Sequence, residues 1–159
     1  MLERNGILAG GTWVLDHTKI IDFFPAQDAL ANVLAETSSN GGGPYKAAKE
    51  LLAAGVREWV VIHFPAGAIA VGSSGRELAQ ASINMPQERI VGAVGAGDAF
   101  AAGVLLGLHE DVPIEVALTY GVCAAAASLL DPTSTNGVKP LSQCLRLVEE
   151  FGYRPTLKL

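Results

Sequence analysis

The chain has 159 residues, half of them hydrophobic and 17% charged, a size and balance that suit one domain over residues 1–159 and exclude a disordered tail. Aromatic residues supply only 6% while glycines number 18, so the core must come from Ala, Val, Leu and Ile with close backbone approach, as in a layered α/β protein. Against 16 acidic residues stand 11 basic ones, a formal net charge of −5, and no run of Lys or Arg occurs, which argues against nucleic acid as a partner.

Residues 7–15 are apolar but broken by two glycines and a Thr, and they stop at Asp16; this predicts a strand and not a signal peptide. Residues 19–24, ending before Pro25, and residues 30–37, centred on Val33 and Leu34, are two further strands able to form a small sheet of their own. The loop of small residues at 38–44 leads into a helix over 45–54, which Gly55 closes. Two β-branched apolar runs, 59–64 and 67–72, are joined by Pro65-Ala66 and predict a hairpin; 76–84 is a weaker strand ahead of Pro86. Residues 96–108 place Phe100, Val104, Leu105 and Leu108 on one helical face, with Gly103 and Gly107 permitting close packing. The next helix is expected to take Asp111 as its cap and Pro113 in its first turn, and to run through Ala127. Pro140 opens a last helix, with Leu141, Cys144, Leu145, Val148 and Phe151 at i, i+3, i+4, i+7 spacing. The uncharged stretch 116–130 is shorter than the roughly 18 apolar residues of a membrane span and contains Thr119, Tyr120 and Ser128, so no membrane contact is expected. Cys123 and Cys144, without CxxC spacing, are expected to be buried, reduced thiols of a cytoplasmic protein.

The densest chemical signal is Val91-Gly92-Ala93-Val94-Gly95-Ala96-Gly97-Asp98-Ala99-Phe100, glycines that deliver the backbone into a helix N-terminus. Such a turn leaves several N–H groups aimed outward, and the helix dipole adds positive potential, a cradle for anionic oxygens. Asp98 sits in the same first turn, so a carboxylate base and an anion cradle lie side by side, which suits phosphoryl transfer to a hydroxyl. The plainer alternative is that Asp98 only stabilises the helix start while the glycines let the helix pack on a strand. Neither GxGxxG nor GxxxxGK[ST] is present. His63 and His109 have no partner at metal spacing, His17 is a loop residue beside Asp16, and no metal ligand is assigned. Trp13 and Trp59 are expected to pack in the core.

Gly95-Ala96-Gly97-Asp98-Ala99-Phe100-Ala101-Ala102-Gly103 resembles the C-terminal signature of the ribokinase-like sugar kinases, the PfkB carbohydrate kinase family. The resemblance continues through residues 58–71, similar to the family's hairpin ahead of the signature, and through 117–127, similar to the helix bordering its adenine pocket. Residues 7–16 resemble the first strand, whose terminal Asp holds sugar hydroxyls, and Asn40-Gly41-Gly42-Gly43 resembles the N-terminal glycine motif. The resemblance implies a ribokinase-like layered α/β sandwich, a Rossmann-like sheet flanked by helices, with lid strands within residues 17–39. It further implies Asp98 as the base and Gly95, Ala96 and Gly97 as the anion hole, with Asp16, Gly41 and Gly42 on the sugar. Gly67, Val122 and Thr135 would lie at the nucleotide, the last in the polar turn Thr133, Ser134, Thr135, Asn136. ATP, with Mg2+ entering on the nucleotide, and a sugar or related small molecule are the implied ligands.

Three departures qualify it. Family members are considerably longer, and the chain passes from N-terminal to C-terminal family sequence at a seam near 45–46, where Lys46 stands in place of the usual Asn. The middle of the fold, with its Asn and Glu motif associated with magnesium, is missing. Gly92 stands where the signature usually carries Asp, and Val122 where Asn is frequent. The residues thus support an active sugar kinase, or a shortened nucleotide- or anion-binding module without turnover whose open edges or lid strands pair with a second copy. An unrelated nucleotide-binding α/β domain is the third reading, favoured if Gly95–Asp98 lay far from Asp16 and Gly42.

Overall fold

The computed structural model describes residues 18–21, 33–37, 43–133 and 135–155. The chain separates into two compact units, residues 1–39 and 40–159. In the first, β1 (Thr18–Ile21) pairs antiparallel with β2 (Val33–Thr37), and the register shifts between Ile20 and Ile21. The strand expected over 7–15 lies outside the described residues, as do Trp13, Asp16 and His17.

The second unit is layered. Helix α1 (Gly43–Ala53) is followed by an antiparallel meander of β3 (Trp59–Phe64), β4 (Gly67–Gly72) and β5 (Glu77–Ala81), with β4 in the centre. The Pro65-Ala66 hairpin forms as expected, pairing Phe64 with Gly67 and Trp59 with Gly72. The third strand is shorter than the sequence predicts, although Ile83 continues the pattern as an isolated bridge to Tyr153. Helix α1 begins at Gly43, two residues earlier than expected, and runs unbroken through Tyr45 and Lys46. Gly55 closes it with φ of +115°, donating to the Leu52 carbonyl (3.0 Å).

Strand periodicity sorts the side chains into two cores. Val60, Ile62 and Phe64 of β3 and Ile69 and Val71 of β4 pack with Ala48, Leu51 and Leu52 of α1. The alternate residues, Trp59, Val61, Ala68, Ala70 and Leu78, join the larger core on the opposite face. That core is completed by α2 (Ala96–His109), α3 (Ile114–Ser128) and α4 (Leu141–Phe151). Strand β4 is buried along its whole length, which explains why it is apolar on both faces and made of small residues.

The expected cap of α3 is corrected. Pro113 is the N-cap, no side chain caps the helix, and Asp111 has φ of +56° in the tight α2–α3 connection. Proline occupies the cap because its fixed φ and missing N–H suit a helix entrance. Cys123 and Cys144 are free and buried, as expected. Burial, with Cys144 nearby, pushes the Cys123 thiol up to about 12.

Helices α2 and α3 meet backbone to backbone. A Cβ on Gly103 would lie 2.6 Å from the Tyr120 carbonyl oxygen and 2.8 Å from Gly121 Cα, and one on Gly107 would lie 2.7 Å from Ala117 Cα. Across the interface, a Cβ on Gly121 would lie 2.8 Å from both Phe100 Cε2 and Val104 Cγ2. Gly103→Ala therefore has to separate the helices, and urea denaturation should show a loss of about 1–3 kcal/mol, the usual range for overpacking; unchanged stability would show that the helices do not depend on this approach.

Candidate active site

Gly95 starts the site. It is the N-cap of α2 at φ +81°, ψ 0°, a left-handed conformation that costs any residue with a Cβ roughly 1 kcal/mol or more. The turn lets the chain arriving from residues 91–94 reverse into the helix. The Ala96 N–H donates to the Ala93 carbonyl (3.3 Å), and the first regular helical bond runs from the Ala99 N–H to the Gly95 carbonyl (2.8 Å). No side chain caps the first turn, which leaves its N–H groups and the positive end of the dipole for a ligand. Val91 and Val94, 59% and 58% exposed, rim the turn and place it at the surface.

The approach to the turn is fixed from below. The Val91 N–H donates to the Leu129 carbonyl (2.8 Å) just beyond the end of α3. A Cβ on Gly92 would lie 3.2 Å from Pro132 Cα, so an Asp at this position would require the 131–132 turn to give way. The same turn is self-bonded. Asp131 Oδ1 accepts from the Thr133 N–H (2.8 Å) and hydroxyl (2.6 Å), which holds its carboxyl below the usual range. The Asn136 N–H then donates to Thr133 Oγ1 (3.1 Å), and Lys139 Nζ donates to the Asn136 carbonyl (2.7 Å). Beside it, a cavity of about 210 Å³ is lined by Leu130, Asp131, Asn136, Gly137, Lys139 and Gln143 among others.

The structure thus gathers Gly95, Ala96, Gly97 and Asp98 into one helix start, with Asp98 exposed. Thr135 lies in the polar turn that follows Pro132, the residue on which Gly92 rests. Gly67 opens β4, paired with Phe64 and Ala81, and Val122 is 3% exposed within the core. Asp16, Gly41, Gly42 and Ser134 lie outside the described residues.

His63, with no partner at metal spacing along the chain, is a further neighbour of this turn. His63, at the exposed end of β3, directs its ring at the turn: a Cβ on Gly97 would meet His63 Cε1 at 3.0 Å and Nε2 at 3.4 Å. The ring also lies against Phe100, with centroids 4.9 Å apart and planes tilted by 39°. A usable signal was present, since His63 alternates with Trp59 and Val61 and therefore shares their face of the sheet. Desolvation lowers the His63 pKa from 6.5, and the Asp98 charge partly offsets it. The depressed value means the imidazole's contribution to stability is full above 6.5 and is lost as pH falls through the folded value. An NMR titration should place His63 below 6.5, and Asp98→Asn should lower it further by removing the one charge that raises it. A rise in the variant would show that the two groups do not interact.

A family model described as pfkB family carbohydrate kinase matches residues 24–140. The 5-dehydro-2-deoxygluconokinase of Geobacillus kaustophilus (strain HTA426) is 36% identical over 61 residues, 38% of this chain and 18% of that protein. The 1-phosphofructokinase of Bacillus subtilis (strain 168) is 40% identical over 45 residues, 28% of this chain and 15% of that one. Among solved structures, ribokinase from Thermotoga maritima superposes with a TM-score of 0.58 at 22% identity, over 65% of this chain and 34% of its own. A putative ribokinase II from E. coli gives 0.61 at 18% identity, over 70% and 35%. The chain thus spans less than a fifth of these curated relatives and about a third of these solved chains. With the family match running from the first unit through the polar turn, and the layered fold shared with both solved structures, the chain belongs to the pfkB family of carbohydrate kinases.

Proposed function

We propose that this site transfers the γ-phosphoryl group of ATP to a hydroxyl of a sugar or related small molecule. The observation that carries the reading is the left-handed Gly95 turn, which leaves the first N–H groups of α2 without a side-chain cap directly beside Asp98. Asp98 takes the proton of the acceptor hydroxyl. The acceptor oxygen bonds to the γ-phosphorus as the bond from phosphorus to the bridging oxygen breaks, and ADP leaves with that electron pair. The N–H groups of Gly95 and Gly97 stabilise charge on the transferring group without reorganising, where fixed donors are worth most, and Ala96, whose N–H holds the turn through the Ala93 carbonyl, completes the anion hole between them. Asp16, Gly41 and Gly42 orient the acceptor, and the strands within 17–39 act as its lid.

Gly67 and Thr135 border the nucleotide. Val122, being buried, can act on it only by holding α3 in place. Magnesium, entering with the nucleotide, would supply charge neutralisation on its phosphates. The proposed setting is the cytoplasm, consistent with free thiols and with the lack, among the described residues, of a helix long and apolar enough to cross a membrane. Self-association through the lid strands or an open sheet edge is the proposed assembly.

A second reading is a nucleotide- or anion-binding module without turnover. It is favoured by the share of the solved chains that this chain spans, about a third. An ATP-turnover assay across a panel of sugars separates the two. The kinase reading expects ADP and phosphorylated product, and loss of about 10²–10⁴-fold in kcat for Asp98→Asn, the usual contribution of a general base, with nucleotide affinity nearly unchanged. Measurable ATP binding without turnover for any acceptor supports the binding module, and equal turnover in Asp98→Asn removes Asp98 as the base.

A further inference from the structure

His63 is an ionisable side chain beside the glycine turn that the phosphoryl-transfer scheme leaves unused. Its Cε1–Nε2 edge lies against Gly97, the ring rests on Phe100, and the residue is exposed at the end of β3. Residues 59–72 and 91–108, which form β3, β4, the turn and most of α2, contain no Lys and no Arg. In these segments the imidazole is thus the one side chain able to carry positive charge, while the Asp98 carboxylate beside it repels any phosphate that approaches. The charged groups of the surrounding elements are few. Asp98 acts on the ring from α2, and β4 places Ala68 opposite His63. Helix α1, packed on the other face of the sheet, carries Lys46, Lys49 and Glu50, of which Lys49 pairs with Glu77 of β5 (2.7 Å).

We infer that His63 is a phosphate-contacting residue of this site, whose protonated form is favoured as the nucleotide's phosphates arrive beside Gly97 and which then offsets the Asp98 charge; this rests on the phosphoryl-transfer reading. The chemistry favours such a division of labour. A permanent cation here would pair with Asp98 and weaken it as a base, whereas an imidazole that is neutral in the free protein leaves the carboxylate unpaired. By linkage, whatever factor the bound phosphate contributes to protonation, protonation returns to phosphate affinity. A merely structural His63, a spacer between Phe100 and the turn, would not respond to the ligand.

The test is an NMR titration of the intact chain, alone and with saturating ATP or adenosine. The signals of His17, His63 and His109 are separated by comparison with His63→Gln. The inference expects ATP to raise the His63 pKa by about one unit, equivalent to about tenfold tighter binding to the protonated form, and adenosine, which lacks phosphates, to leave it in place. It further expects His63→Gln to lose that tenfold gain at low pH relative to the parent while keeping its affinity at pH 8. If ATP moves the Gly95 and Gly97 amide signals but leaves the His63 pKa unchanged, His63 is a spacer and the inference fails while the phosphoryl-transfer reading stands. If neither the amides nor His63 respond to ATP, the site reading itself fails and carries the inference with it.

Discussion

The backbone contact between α2 and α3 governs the second unit. Gly103 and Gly107 on one helix and Gly121 on the other remove the side chains that would keep the axes apart, so each helix main chain packs against its neighbour. The consequence reaches well beyond the interface. With α3 held against the sheet through the core that Ala68, Ala70, Leu118 and Val122 share, α2 has one position, and its N-terminus has one location. A turn built from glycines has little side-chain packing of its own, and it borrows rigidity from the helix it starts.

The turn is further pinned from both flanks by contacts that carry no chemistry of their own. On the entry side the Val91 N–H reaches the end of α3, and Gly92 leans on the 131–132 turn, which Asp131 and Thr133 staple together. On the exit side Phe100 is buried, 4% exposed, between α3 and His63. A strained left-handed residue such as Gly95 persists when its surroundings over-determine it, and these flanks do so. The same surroundings leave position 92 little room for a larger residue.

Much of this was legible along the chain. The apolar, β-branched runs Trp59–Phe64 and Gly67–Gly72 around Pro65-Ala66 predicted the hairpin and its turn, and the 3.6-residue spacing from Leu141 to Phe151 predicted α4. The glycines at 95 and 97 predicted the turn into a helix start at this point. Where expectation failed, a competing local preference won: Asp111 was expected to cap α3, but Pro113 two residues later suits the helix entrance and left Asp111 to the connecting turn. Helix α1 starts early because nothing in Gly43-Pro44 prevents a first turn, where a missing proline N–H goes unnoticed.

By itself the sequence determined most of the element types and the residues of the glycine turn, because periodicity, β-branching and glycine placement are local properties. The tertiary structure alone decided that His63 stands against Gly97, that Val122 is core, and that Gly92 rests on Pro132. These pairings join residues 34 to 40 positions apart, or bury a residue whose local pattern suited either role. They follow from how closely three glycines let two helices approach, a distance that no short stretch of sequence encodes.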